Sequence, residues 1–333
     1  MLRPRFRPGW KPSWLGTKKG WYECEDALLS LSVDALDATR ISDEKLVMLK
    51  RILTSLHPYE VEIGRLFSEE PFASEPRNHC VPIFETLQDP FDADYQIIVM
   101  PFLRGYDKPQ FQTIGELAEF WRQAFEGLHF MHEHRVAHRD CMILNIMMDP
   151  QPLFPDMYHP LRPNQSRDLR GTPKHYSRTV RPTRYYYIDF GLSRRYPADD
   201  VSPREPPIIG GDKTVPEFQG NLRFQPSDPF PTDVYCIGNL IRERYLQEFK
   251  GVEFMEKLIE DMTQSDPAKR PTMTEVITRY DQLLDGLNRR KLRERLVHRE
   301  ENAVARLYKD VKHTIITAGY VMRQLPPLPR PPT

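Results

Sequence analysis

Apolar positions in the first hundred residues come in short runs, whereas those of the next two hundred fall mostly at helical spacing. The run LVMLKRI (46–52) predicts a buried strand, and YQIIVMPFL (95–103) predicts a second that ends at Pro101, where the backbone can no longer donate. Between them, HPYEVEIGRLFSEEP puts Val61, Ile63, Leu66 and Phe67 on one helical face and closes at Pro71. The period then changes. TIGELAEFWRQAFEGLHFMHEH (113–134) spaces Leu117, Phe120, Trp121, Ala124, Phe125 and Leu128 along one helix face, with Thr113 and Glu116 set as a capping box. PTDVYCIGNLIRERYLQEF and GVEFMEKLIEDMTQSDPAKRPTMTEVITRYDQLL predict further helices, interrupted at Asp266, Pro267 and Pro271. The expected fold class is α+β: a small strand-rich unit followed by a larger helical one.

Three stretches break these patterns. Residues 1–21 are rich in Pro, Gly, Trp and basic side chains and are expected to form an irregular arm packed through Trp10, Trp14 and Trp21. Residues 151–184 hold six Pro, seven Lys or Arg and only two Asp, which predicts a long excursion or docked loop, more simply a solvated one. After residue 286, Leu292, Leu296, Ala303 and Leu307 are spaced along one helix face, and the chain closes in PPLPRPP, a polyproline ligand or a spacer.

With 333 residues, 39% of them apolar and 28% charged, the chain can bury a large core. Lys plus Arg balances Asp plus Glu at 47 each, so net charge signals neither nucleic acid nor another polyanion. Cys24, Cys80, Cys141 and Cys236 form no CxxC pair, which argues against a zinc site or a disulfide framework. The N-terminus does not read as a secretory signal, and no apolar run is long enough to span a membrane, so the expected location is cytoplasmic, with nuclear residence left open.

Six short motifs occur in a fixed order: VMLK (47–50), HRDCMILN (138–145), IDFG (188–191), VPE (215–217), DVYCIG (233–238) and DPAKRP (266–271). In that order they resemble the eukaryotic protein kinases over roughly residues 33–285, and more narrowly the divergent kinase-like proteins of fungi. The resemblance implies a bilobal fold with an arm at 1–32, an N-lobe at 33–103, a C-lobe at 104–285 with an insertion at 151–184, a helical extension at 286–324 and a Pro-rich tail at 325–333. It implies ATP and Mg2+ (or Mn2+) as cofactors and a protein Ser or Thr hydroxyl as acceptor. Asp140 would be the proton acceptor, Asn145 and Asp189 the metal ligands, and Lys50 the phosphate-binding amine held by Glu60, with Glu62 as second choice. His138 would sit in the core beneath Asp189, and Arg139 would meet a phosphorylated or acidic activation segment. Glu217 and Arg270 would form a buried clamp, and Asp233 would brace the catalytic loop. Most also have a plainer reading: Asp140 and Asp233 as capping residues, Asn145 as a turn residue, Asp189 and His138 as core residues, and Lys50 and Glu60 as surface residues.

Two departures from the family pattern divide the functional expectation. No glycine lies between Gly20 and Lys50, so a glycine-rich phosphate lid is missing; a hairpin with Asp37 to Arg40 on its second strand is expected there, with Ser30 and Ser32 as substitute donors. Met142 and Leu144 stand where kinases place a catalytic-loop Lys or Arg, leaving Arg194 or a basic residue of the insertion to replace it. One expectation is an atypical protein Ser/Thr kinase; the other is a pseudokinase scaffold or allosteric regulator. Expected partners are a protein substrate or regulator, met through Arg162, Arg167, Arg170, Lys174, Arg178, Arg181 and Arg184 of the insertion or through the tail. Ser193, Tyr196, Ser202 and Thr214 are the hydroxyls of the segment from Asp189 to Glu217.

Overall fold

The computed structural model describes residues 1–30, 32–208 and 211–332. Its N-terminal part is built on a four-stranded antiparallel sheet in the order β1-β2-β4-β3, with β1 at Ala35–Thr39, β2 at Leu46–Leu53, β3 at Glu85–Gln88 and β4 at Tyr95–Pro101. Helix α1, Glu60–Ser68, follows β2 after a short turn and buries Ile63 and Phe67. The pleat sorts the side chains of β2 and β4. Leu46, Ile52, Ile98 and Met100 face the main core, while Ala38, Val47 and Val99 form a small second cluster with Leu2 and Leu49 on the opposite face. Covering both faces explains why β2 reads as an almost unbroken apolar run.

The C-terminal part is rich in helices. After β5 (Arg104–Gly105) comes α2, Ile114–Glu133, most of which is buried. Then follow β6 (Val136–Ala137), β7 (Ile146–Met148), β8 (Tyr185–Tyr187) and β9 (Arg194–Arg195). Strands β5, β7 and β8 make one small sheet, and β6 pairs with β9. Helix α5 (Met273–Asp285) packs against α2, and α4 (Glu256–Met262) packs between α3 (Pro229–Ile241) and α5. Strand β10 (Phe249–Lys250) lies between α3 and α4 and pairs with β11 (Val297–His298), and α6 (Arg289–Arg293) and α7 (Ala303–Met322) flank β11. The two parts are stitched where Val81 N–H donates to Tyr187 O (2.9 Å) and Tyr187 N–H donates to His79 O (2.7 Å). No helix among the described residues is long and apolar enough to cross a membrane.

The insertion is not a solvated loop. Leu153, Phe154 and Tyr158 are buried, and Arg178 is buried with its guanidinium donating to Tyr185 Oη (2.8 Å), Pro109 O and Tyr106 O (2.7 Å each). Arg178 is therefore unavailable to a docking partner, while Arg167, Arg170, Lys174 and Arg181 stay exposed. A few anchoring side chains and backbone acceptors suffice to fix a segment with no apolar period. The capping box on α2 is also altered by the insertion. Thr113 Oγ1 accepts Glu116 N–H at 3.0 Å, but the Glu116 carboxylate accepts from Gln112 N–H (2.7 Å), Thr179 N–H (2.8 Å) and Thr179 Oγ1 (2.7 Å).

The arm differs from its expected form as well. Trp10 and Trp14 pack edge to face, and Asp26 gathers Trp10 Nε1, Ser13 N–H and Ser13 Oγ, but Trp21 is exposed. No lid hairpin forms among the described residues: β1 pairs with β2, and its free edge is met by Leu2 bridging Ala38. Ser30 Oγ donates to Ala35 O and Ser32 Oγ accepts Ala35 N–H, so both hydroxyls close a local turn. The expected continuous helix after residue 286 is broken between α6 and α7, burying Leu292 and Leu296 but leaving Leu307 exposed.

The Pro-rich tail is neither a free ligand nor a spacer, because it lies across the start of α2. A Cβ at Gly115 would sit 1.9 Å from Pro327 O, and Arg293 Nη2 donates to Leu325 O at 2.6 Å. Gly115→Ala gains about 1 kcal/mol of helix propensity but cannot coexist with that carbonyl. The expected result is faster tryptic cleavage after Arg323; unchanged protection would mean the tail does not rest on Gly115.

Candidate active site

Lys50 projects from β2 opposite Ala35 and Ile98, on the side of the sheet that faces the main core. Its ammonium donates to Glu60 Oε1 and to Asp189 Oδ1, the latter at 2.8 Å. The ten-residue separation from Glu60 is bridged because the chain turns tightly after β2 and Glu60 is the first residue of α1, where the helix dipole favours a carboxylate. Glu62 is exposed and plays no part in the pair. Burial works against the Lys50 charge, yet the two carboxylates outweigh it and hold its pKa above the ordinary value. Burial likewise opposes ionisation of Asp189, and Lys50 overcomes it, so its pKa is lowered. The buried Glu60 Oε2 has no hydrogen-bond partner.

Asp189 adopts left-handed backbone geometry with φ +64°, and Arg139 does so with φ +69°. For residues with a side chain such geometry costs on the order of 1–3 kcal/mol and concentrates at functional sites. What holds it here is a set of buried hydrogen bonds. His138 Nδ1 accepts Asp140 N–H at 3.2 Å, so Nε2 carries the proton and donates to Ile188 O at 3.1 Å. One imidazole thereby ties the backbone before Asp189 to the backbone at Asp140. Asp233 is fully buried in α3; its oxygens accept His138 N–H and Arg139 N–H at 2.7 Å each, and His132 Nε2 lies 3.1 Å away. His57 Nδ1 reaches Gly191 O at 3.0 Å, joining the turn before α1 to the same segment.

Asp140 and Asn145 touch directly. Asn145 Nδ2 donates to Asp140 Oδ2 (2.8 Å) and Asp140 O (3.0 Å), which leaves the Asn145 amide oxygen free of these bonds. Asp140 Oδ1 is buried without a partner, and burial raises the pKa of this carboxyl. Met142 and Leu144 bring no charge to it, and Leu144 is 78% exposed. Arg194 stacks over Tyr59 at 4.7 Å and donates to Ser193 O, and no cation among the described residues hydrogen-bonds to Asp140.

Farther along, Arg139 donates to Leu192 O (3.1 Å) and Pro206 O (2.8 Å) and lies 3.3 Å from Glu205. A carboxylate thus meets the arginine in the segment after Asp189. Arg270 and Glu217 form a buried two-pronged pair at 2.7 and 2.6 Å. Ser193 is fully buried and donates to His138 O, out of reach of a modifying enzyme, while Ser202 is exposed.

Several contacts escaped the sequence reading. Asp37, buried on the same face of the sheet as Lys50, takes Arg3 Nε at 3.0 Å, and Glu25 of the arm lies 3.5 Å from His159 of the insertion. Asp37 alternates with apolar neighbours in a strand, and a carboxylate on a buried strand face signals a hidden cation. Nothing in the sequence marks Glu205 as the partner of Arg139, because its segment has no period to read.

No family model matches this chain, and no curated protein is similar to it. Among the described residues, no group of three or more His, Cys, Asp or Glu is placed to hold a metal ion.

Proposed function

We propose that this chain is a bilobal, protein-kinase-like phosphotransferase that moves the γ-phosphoryl group of ATP to a Ser or Thr hydroxyl of a protein. The observation that carries the proposal is that Lys50 joins Glu60 and Asp189 while His138 ties the backbone before Asp189 to the Asp140–Asn145 pair. Those residues lie far apart in sequence, and a merely structural core has no need to gather an ammonium, three carboxylates and an amide around partly exposed ground. In this reading Lys50 binds phosphate oxygens, and Asp140 orients the acceptor hydroxyl and takes its proton.

Asp189 and the free Asn145 amide oxygen would hold Mg2+, an all-oxygen donor set suited to a hard cation. A cluster of three carboxylates is not required, since Mg2+ keeps several waters and takes substrate phosphates as ligands. Bound there, the ion would neutralise phosphate charge.

A second reading, a pseudokinase regulator, is favoured by the neutral surroundings of Asp140 and by the arm that brings Arg3 to Asp37 on the Lys50 face. Thermal melting with nucleotide separates nucleotide binding from an empty site. ATP with Mg2+ at a hundredfold excess over Kd should raise stability by about 2.7 kcal/mol, and Asp189→Asn should remove most of the rise. No shift with either magnesium or manganese would count against both cofactors.

A further inference from the structure

Helix α7 is amphipathic in the reverse sense. Its polar side faces the protein: Asp310 accepts Arg295 Nη2 at 2.6 Å, His313 Nε2 reaches Arg293 O at 2.8 Å, and Tyr320 Oη meets Ser177 Oγ at 2.7 Å and Gln112 Oε1 at 3.1 Å. Its apolar side faces solvent. Val304, Tyr308, Val311, Ile315, Ala318 and Met322 recur at alternating spacings of four and three, the repeat of a coiled-coil seam, and all six are exposed. The five larger ones are between 55% and 82% exposed, and Leu307 and Val321 widen the stripe on one flank. A surface helix normally turns such a stripe toward the core.

We infer that α7 is a dimerisation helix whose apolar seam packs against the α7 of a second copy of this chain. The area fits: the exposed stripe amounts to on the order of 800 Å2, the share each partner brings to an interface of standard size. Its composition fits too, since aromatic, Met and aliphatic side chains without charge are what a homodimer core requires. Of the flanking positions Ala305, Leu307, Lys312, Thr314, Gly319 and Val321, Lys312 alone is charged, so the seam lacks the charge pattern that would select a different helix. The zero formal net charge also lets two copies approach without long-range repulsion. The inference is independent of phosphoryl transfer, because α7 supplies none of the candidate active-site residues.

Sedimentation velocity on the full chain tests it. The wild type should sediment at twice the chain mass in the micromolar range, and Val311→Asp with Ile315→Asp should return it to the chain mass with an unchanged melting midpoint. Both positions are exposed, so the double variant is expected to fold; a circular dichroism spectrum matching wild type checks this. A second measurement does not depend on that variant. Val311→Cys should give a cross-linked dimer with a short bismaleimide, and Glu260→Cys on the exposed side of α4 should not. The four native cysteines are buried, so the introduced thiol is the reactive one. A wild-type monomer throughout the range, a dimer indifferent to the double variant, or equal cross-linking at both cysteines would overturn the proposal. So would a monomer that co-sediments with phosphatidylcholine or phosphatidylserine vesicles through the same stripe.

Discussion

Arg270→Ala is expected to destabilise the protein by about 3–5 kcal/mol, because it leaves the Glu217 carboxylate buried with no counter-charge. The Arg270 guanidinium is fully shielded from solvent and also donates to Pro231 O (2.9 Å) and Gln264 O (2.8 Å), so truncation removes two further hydrogen bonds as well. The intact pair is another matter. Much of its attraction is spent on desolvating both ions, so Glu217→Leu combined with Arg270→Met should cost less than the two single changes added together. Urea unfolding of wild type, Arg270→Ala, the two single changes and the double variant measures this directly. A loss below about 1 kcal/mol for Arg270→Ala would mean that water reaches Glu217 or that the segment relaxes around it.

On the proposed function, Asp140→Asn is expected to lower phosphoryl transfer from labelled ATP by about 10²–10⁴-fold, the usual contribution of a positioned general base. The substitution keeps the shape of the side chain, so folding and nucleotide-induced melting shifts should stay near wild type. Asp189→Asn should lower transfer too, but with loss of the melting shift, since in the proposed function that residue would hold the metal and not take the proton. Equal transfer by wild type and Asp140→Asn would place any activity elsewhere. Wild type that shifts with ATP yet transfers nothing to a broad panel of peptides and proteins would leave the regulator reading standing alone, and the uncharged Met142 and Leu144 would be the physical reason.

Much of the fold was legible because its main elements follow simple periods. The run at 46–52 lies in β2, the run at 95–103 enters β4 and leaves it after Pro101, and the apolar spacing of 113–134 follows α2 almost residue for residue. The partnership of Lys50 with Glu60 could be read from a cation ending an apolar run and a carboxylate opening an inward-facing helix. Asp140, Asn145 and Asp189 stood out only through motif order, since nothing local brings residue 189 to residue 50. Composition alone does not choose between a docked and a solvated insertion, because Pro and Arg look solvent-loving in either case. Leu153, Phe154 and Tyr158 are too few to register as a pattern, and the burial of Arg178 depends on carbonyls at Tyr106 and Pro109 that no sequence rule pairs with it. Glu116 was read as half of a local cap, while its second role, fixing Thr179, is a matter of tertiary structure. The break between α6 and α7 was hidden for a similar reason: Leu292, Leu296, Ala303 and Leu307 keep helical spacing although the chain between them does not stay helical.

Every strand of the four-stranded sheet, and the Leu2 bridge that seals its edge, lies within the first 101 residues. During synthesis that sheet can assemble as soon as this portion clears the ribosome, well before α3, α4 or α5 exists. Lys50 and Glu60 would then meet early, whereas Asp189 reaches Lys50 across 139 positions and arrives late. The Asp189 carboxylate would then close onto a lysine already held by Glu60, and the order of translation would be an order of assembly.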